Sequence, residues 1–208
     1  MIWEKTLIWK ISKKIYNFIL NRLPDFAAVR LLYFRRFKRL PNFRNPKYFN
    51  EKIAWRKLYQ HNPLFPVFSD KIAAKTVVEN LVGKEHVIET LWTGDKPEDI
   101  PFDTLSYPYV IKTNHNSGGN VFIRSAQDID KEKIITFFKS QLKFDYWHYL
   151  REWGYFDVPH RLLIERMVEM PNGKVPEDYK FFVYGGRVHF VQYDADRFGE
   201  HRRNMYDR

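Results

Sequence analysis

Apolar residues recur at spacings of three and four over the first part of the chain, at Leu7, Ile8, Ile11, Ile15, Phe18 and Ile19. This period predicts an amphipathic helix. Pro24 interrupts it, and a basic and aromatic stretch at 29–39 resumes the helical pattern. Two further helices are predicted, over about Asn50–Tyr59 and over Lys71–Val82. The second has Ser69 or Asp70 as its N-cap and ends at Gly83.

Strand patterns dominate the second half of the chain. Tyr109–Thr113 and Val121–Arg124 are predicted strands on either side of a polar glycine loop, and Arg161–Glu169 is a third. Asp178–Tyr184 and Arg187–Asp194 are predicted to pair as a hairpin through a Gly-Gly turn. Thr93–Asp103 is predicted as a loop, a helix is expected to begin at Asp128 or Asp130, and no strand is predicted after Arg197. The pattern indicates an α+β fold, with antiparallel strands and packed helices.

Positive charge is concentrated at one end of the chain. Residues 1–60 hold 15 Lys and Arg against 3 Asp and Glu, whereas the remaining residues hold 20 against 22. Residues 1–40 therefore form a basic helical arm. Such an arm can lie on an anionic membrane surface or pack on the protein with its charges solvated. Nucleic-acid binding is not expected, because such domains carry positive charge across the folded face.

Other features of composition limit the compartment and the chemistry. The chain has no Cys, which excludes disulfides, thiolate metal sites and a cysteine nucleophile. No apolar run approaches the roughly 20 residues of a membrane span, and the N-terminus lacks the pattern of a signal peptide. We expect a cytoplasmic protein that can lie peripherally at the inner membrane face.

The segment at 107–124 has the residue types that bind a triphosphate. Lys112 lies on a strand just before the loop, and Ser117, Gly118 and Gly119 can present backbone N–H groups to phosphate oxygens. The loop is not a Walker A sequence. In the later strand, Glu165 can accept a hydrogen bond from the exocyclic amine of a nucleotide base. Met167 can pack against that base, and the backbone near Met167 and Val168 can contact the edge of its ring. A solvent-facing Glu165 is the alternative.

Five segments together resemble the TupA-like branch of the ATP-grasp superfamily: NPKYFNEKIAWRKLY at 45–59, SDKIAAKTVV at 69–78, YPYVIKTNHNSGGNVFI at 107–123, LLIERMVE at 162–169 and PEDYKFFVYGGRVHFV at 176–191. The resemblance implies an ATP-grasp-like core. It divides the chain into the arm at 1–40, a mainly helical part at 41–106 and a nucleotide-binding part at 107–208. The family usually continues further, so we expect this part to be incomplete at its C-terminus.

The resemblance also implies roles for single residues. Lys71 and Lys112 match the nucleotide-facing lysines, and Glu165 with Val168 matches the adenine-contacting hinge. Lys180 and Arg197 match catalytic cations near the phosphates. Glu177 or Asp178 is placed near the ribose. The strand pattern alone leaves two positions open for the Lys180 side chain: it can reach into a cleft, or it can lie at the edge of the sheet.

The activity implied by the resemblance is ATP- and Mg²⁺-dependent joining of a carboxylate to an amine through an acyl-phosphate. Its expected acceptor is a surface polysaccharide or a lipid-linked sugar. The Mg²⁺ ligands are expected beyond the end of this chain, so a nucleotide-binding protein without catalysis is one alternative. Another is a glycosyltransferase that uses Asp194 and Asp196 as a metal-binding Asp-x-Asp pair.

Overall fold

The computed structural model describes residues 7–170, 173, 175–196 and 199–207. Internal contacts divide the protein into two compact units, Met1–Arg166 and Met167–Arg208. The boundaries expected after residues 40 and 106 do not coincide with this division and stay predictions. The described elements are mixed helices and antiparallel strands, which confirms the α+β class.

The first unit contains seven α-helices and four strands among its described residues. The helices are Leu7–Arg22 (α1), Asp25–Phe37 (α2), Phe49–Tyr59 (α3), Leu64–Ser69 (α4), Lys71–Val82 (α5), Lys131–Leu142 (α6) and Tyr146–Leu150 (α7). The strands are Thr90–Gly94 (β1), Tyr109–Thr113 (β2), Val121–Ile123 (β3) and Leu162–Arg166 (β4). The predicted bounds of α5 and β2 are confirmed. The loop prediction at Thr93–Asp103 is wrong at its start, where β1 includes Thr93 and Gly94.

The four strands form one antiparallel sheet in the order β1-β4-β2-β3. Side chains on successive strand residues point to opposite faces. One face is apolar and packs against Ile134 and Phe138 of α6; its buried strand residues are Tyr109, Ile111, Ile123, Leu162 and Ile164. Asp130 caps α6 by accepting a hydrogen bond from the Lys133 backbone N–H at 3.0 Å. This core fixes β2 and β4 side by side.

The basic arm packs against the rest of the first unit. Val29 and Tyr33 of α2 are buried against Ala54 of α3. The Arg151 side chain, only 3% exposed, donates to the carbonyls of Leu20 at 2.9 Å and Leu23 at 3.4 Å and forms an ion pair with Asp25. It therefore adds a donor to backbone carbonyls at the end of α1, where the Leu20 carbonyl also accepts from the Leu23 N–H at 3.3 Å. The packing expectation for the arm is supported.

The second unit is a three-stranded antiparallel sheet, Asp178–Tyr184 (β5), Arg187–Ala195 (β6) and Arg202–Asp207 (β7). The predicted Gly-Gly hairpin is confirmed, and both glycines have positive φ. The expectation that no strand follows Arg197 is wrong. The sequence of β7, RRNMYD, lacks apolar alternation, and it pairs through its backbone along the edge of β6.

No helix among the described residues has the length and apolar character to cross a membrane.

The contacts of Arg151 predict its effect on stability. Arg151→Met leaves the carbonyls of Leu20 and Leu23 without these donors, so we expect the free energy of unfolding to fall by roughly 2–3 kcal/mol. Urea unfolding followed by circular dichroism measures the change. Arg36→Met, at an exposed position of α2, is the control and should change stability by less than about 0.5 kcal/mol. Equal stability of the two variants would contradict this role of Arg151.

Candidate functional site

The second face of the four-stranded sheet is polar where β2 and β4 meet. Val110 is paired with Glu165, and Lys112 is paired with Leu163. Strand alternation therefore places Lys112 and Glu165 on one face, diagonal to each other across the two strands. This face is opposite the apolar α6 side. Two ionisable residues in otherwise apolar strands thus converge without disturbing the core.

Glu165 is 4% exposed and lies between two lysines. Its Oε1 accepts from Lys75 Nζ at 2.5 Å, and its Oε2 forms an ion pair with Lys112. Lys75 also donates to the Ile88 carbonyl. The solvent-facing alternative for Glu165 is therefore wrong. A buried carboxylate needs charged partners to offset the loss of hydration, and α5 and β2 each supply one.

Lys71 lies one helical turn before Lys75 on α5, and its ammonium group is held by backbone carbonyls. Lys71 Nζ donates to Thr113 at 3.0 Å, Asn114 at 3.2 Å and Asn116 at 2.6 Å. Burial and the nearby Lys112 charge lower the pKa of Lys71 to about 8, against the opposing effects of Asp70 and Glu165. The three donors of this ammonium group are therefore directed at the start of the glycine loop.

Asn114 ties the same loop to its surroundings. Its side-chain Nδ2 donates to Asp70 Oδ1 at 2.9 Å and to the Pro159 carbonyl at 2.8 Å, and its Oδ1 accepts from the Arg161 N–H at 2.8 Å. Asp70 in turn caps α5 by accepting from the Ile72 N–H. The base of the loop is thus fixed to α5 and to the segment before β4.

Two stacked histidines adjoin the base of the loop. His115 is buried, and its ring lies 3.7 Å from that of His160. Burial lowers the pKa of His115 to about 4, with a further contribution from His160. His115 is therefore neutral at pH 7 and adds no positive charge. The cationic character of the site comes from the lysines.

The tip of the loop is exposed to solvent. Ser117 and Gly118 are exposed, and Gly118 and Gly119 have φ of +91° and +69°, values that glycine adopts without strain. A Cβ on Gly118 would meet no atom within 4 Å, whereas one on Gly119 would lie 2.8 Å from Gln141 Oε1. The positive φ favours glycine at both positions; a side chain on Gly119 would also displace the end of the Gln141 side chain, and Gly118 faces open space.

The remaining predicted positions lie in the second unit or outside the described residues. Met167 is buried and Val168 is exposed, immediately after β4. Lys180 of β5 bonds to Asp178 and, at 2.7 Å, to Asp194 Oδ2. Arg197 lies outside the described residues. The convergence of Lys180 with the lysines of the first unit stays a prediction, as do the base-contacting roles of Met167 and Val168.

Asp194 is surrounded by cationic and amide donors. Lys180 and Gln192 donate to its Oδ2, and His201 and Arg203 bond to its Oδ1, all within 3.2 Å. Hydrogen bonds from Arg203 and Lys180 hold the pKa of Asp194 well below its usual range. Asp196 instead accepts from the Glu200 N–H at 3.0 Å. This arrangement does not favour the Asp-x-Asp metal site of the glycosyltransferase alternative.

A family model described as TupA-like ATPgrasp matches residues 51–208, three quarters of the chain. The chain belongs to the TupA-like ATP-grasp family. The match begins at Glu51, within α3, and includes every residue of the lysine–glutamate cluster, defined here as Lys71, Lys75, Lys112 and Glu165. A search of curated proteins found no match.

Sequence reasoning did not single out Lys75. The signal was available, because Lys71 and Lys75 are four residues apart in a predicted helix and share one face. What the sequence could not provide is the carboxylate that Lys75 binds, since Glu165 is ninety residues away. The structure adds Lys75 to the candidate site of this TupA-like ATP-grasp protein. Lys75 and Lys112 bind the two oxygens of the same Glu165 carboxylate.

The contacts of Lys71 predict that it orders the glycine loop. Lys71→Met removes three hydrogen bonds to carbonyls at 113, 114 and 116, so we expect lower NMR order parameters for the backbone amides of 114–120. Lys75→Met is the matched variant on the same helix. It should reduce stability through Glu165 and lower the loop's order parameters less than Lys71→Met does, because Lys71 keeps its three bonds to the loop carbonyls. Unaltered loop dynamics in the Lys71 variant would count against this anchoring role.

Proposed function

We propose that this protein binds ATP at the lysine–glutamate cluster and the adjoining glycine loop, and that it uses ATP to join a carboxylate to an amine in surface-polysaccharide assembly. Membership of the TupA-like ATP-grasp family supports the reaction class and the acceptor, a polysaccharide or a lipid-linked sugar. The site geometry described above supports the choice of residues.

The observation that carries the proposal is an excess of half-buried ammonium groups beside an exposed glycine tip. Lys71, Lys75 and Lys112 face two carboxylates, Asp70 and Glu165, so one positive charge is uncompensated. A polyphosphate supplies the missing negative charge and accepts hydrogen bonds from lysine ammonium and backbone N–H groups. Gly118, with open space around it, allows phosphate oxygens to approach its backbone.

ATP fits the donors present, and Mg²⁺ is an expected companion of its phosphates. Among the described residues no three His, Asp or Glu side chains lie together as a metal site. In nucleotide sites Mg²⁺ takes most of its ligands from phosphates and water, with one or two protein carboxylates. When bound, Mg²⁺ neutralises phosphate charge.

The proposed chemistry requires the protein to orient and stabilise charge. The γ-phosphoryl group moves from ATP to a carboxylate oxygen of the acceptor, and ADP leaves. The amine nitrogen then attacks the acyl carbon, and inorganic phosphate leaves as the amine loses a proton. Lys112 and Lys75 stabilise charge on the phosphate oxygens. Glu165 fixes the positions of these two lysines, and its adenine-contacting role stays a prediction.

Substitution of Lys112 tests the nucleotide site. We expect Lys112→Ala to weaken ATP binding more than tenfold, a loss of at least about 1.4 kcal/mol, measured by calorimetric titration with Mg²⁺ present. The variant should stay folded because Lys75 still neutralises Glu165. Lys139→Ala is the control. It removes an exposed lysine of α6 that is paired with Glu98, and the variant should bind ATP normally. Equal ATP affinity of both variants would place the phosphate site elsewhere.

A second measurement separates ligation from nucleotide binding alone. We expect ADP release to require both a uronic-acid carboxylate and an amine. Tight ATP binding without ADP release for any acceptor pair would instead assign a nucleotide-binding protein without catalysis. UDP-sugars, tested in parallel, should not compete for the site.

We also propose that the arm holds the protein at the anionic inner face of the cytoplasmic membrane. Its packed helices leave an exposed apolar set that includes Ile15, Phe18, Ile19, Phe34 and Phe37. Arginines lie over aromatic rings in the same region, as Arg22 does over Phe18 at 3.5 Å. Arginine and aromatic residues together suit the lipid headgroup layer, where anionic lipids attract the cations.

Vesicle co-sedimentation tests the membrane proposal. The protein should pellet with phosphatidylserine-containing vesicles at low salt and remain in solution with pure phosphatidylcholine. Phe18→Glu should reduce the bound fraction, because it puts a negative charge into the exposed apolar set. Phe68→Glu, at a position with nearly equal exposure outside the arm (56% against 58%), is the control. Equal binding to the two kinds of vesicle, or an equal loss of binding in the two variants, would exclude this role.

A further inference from the structure

A groove separate from the lysine–glutamate cluster lies in the first unit between α3, α4 and the turn at 153–155. It consists of two adjoining cavities of about 250 and 310 Å³. Arg56, Phe65, Glu152 and Gly154 line both cavities. The larger is near the lower limit of typical small-ligand pockets. A ligand of one ring fits this size.

Arg56 provides the distinctive charge of the groove. Its Nε donates to Gln60 Oε1 at 2.7 Å, and its guanidinium lies over the Phe65 ring at 5.4 Å. No carboxylate within the described residues forms an ion pair with Arg56. Its terminal nitrogens are therefore available to a carboxylate, which a guanidinium binds through two parallel hydrogen bonds.

The other charged residues of the groove neutralise each other. Lys57 Nζ lies 3.4 Å from Glu152 Oε1 and donates to the Leu150 carbonyl at 3.0 Å. Arg56 is thus left as one uncompensated positive charge, which suits a monoanion better than a phosphate dianion placed near Glu152. Gln60, Ser69 and Glu152 add groups that donate to or accept from hydroxyls.

Aromatic side chains form the apolar part of the lining. Phe65, Phe68 and Tyr155 line the smaller cavity, and Phe68 is more than half exposed. In the larger cavity, the Trp153 ring stacks on His61 at 4.0 Å and on Phe156 at 4.6 Å. These contacts hold the wall rigid, so little side-chain entropy is lost when a ligand binds. Ring C–H faces of a sugar pack on such aromatic surfaces.

We infer that this groove binds an acidic sugar ring. Its carboxylate pairs with the Arg56 guanidinium, its apolar face lies on Phe65 and Phe68, and its hydroxyls bond to Gln60, Ser69 and Glu152. The inference does not depend on the nucleotide site, because it uses none of the residues assigned there.

Titration with D-glucuronate tests the inference, with D-glucose as the neutral counterpart. For a single sugar ring we expect a Kd of about 1 mM, measured by ligand-observed NMR on the full chain. D-Glucose should bind at least tenfold more weakly because it lacks the carboxylate. Arg56→Ala should reduce glucuronate affinity at least tenfold. Arg30→Ala is the matched control, since Arg30 lies over Phe26 at the same 5.4 Å on α2.

Three results would overturn the inference: no saturable glucuronate binding by a protein that is folded by circular dichroism, equal losses in the Arg56 and Arg30 variants, or equal affinity for glutamate and glucuronate. The last would indicate a carboxylate site without sugar recognition. A parallel ATP titration distinguishes the two proposals. Glucuronate binding without ATP binding would support the groove and oppose the nucleotide site.

Discussion

The carboxylate of Glu165 is the constraint on which the candidate site depends. A carboxylate buried in the middle of a sheet costs several kcal/mol in lost hydration unless cations are supplied. One cation comes from β2, the neighbouring strand, and the other from α5. The folded state therefore requires α5 to cover this face of the sheet in one register. The bonds of Asp70 and Lys71 to the loop after β2 act in the same direction.

Fixing α5 has consequences for the loop that follows β2. Once Lys75 is held at Glu165, Lys71 lies one turn earlier and its ammonium group is directed at the carbonyls of 113, 114 and 116. The base of the loop becomes rigid, while Gly118 at the tip keeps its backbone freedom. A rigid base with an exposed glycine tip suits a phosphate-covering loop, because the donors are positioned before the ligand arrives.

The sequence predicts the local parts of this arrangement well. Helical spacing with an Asp cap defines α5, and an apolar run before a glycine loop defines β2. It does not predict β7, whose polar sequence forms a strand only because β6 offers an edge. Nor does it reveal the burial of Glu165 or its contact with Lys75, because both depend on pairing between segments distant in the chain. Lys112 could be found from its loop, whereas Lys75 needs the fold.

The second unit repeats the same physical arrangement with other residues. Asp194 is a buried carboxylate in a central strand, and it collects cations from the strands on either side, Lys180 from β5 and Arg203 from β7. In both sheets a single acid thus orients cations that would otherwise be solvated and mobile. Oriented cations lose less freedom on binding an anion than mobile ones. The acids are therefore best understood as organisers of cationic surfaces, which explains why Asp194 is a poor candidate for a metal ligand.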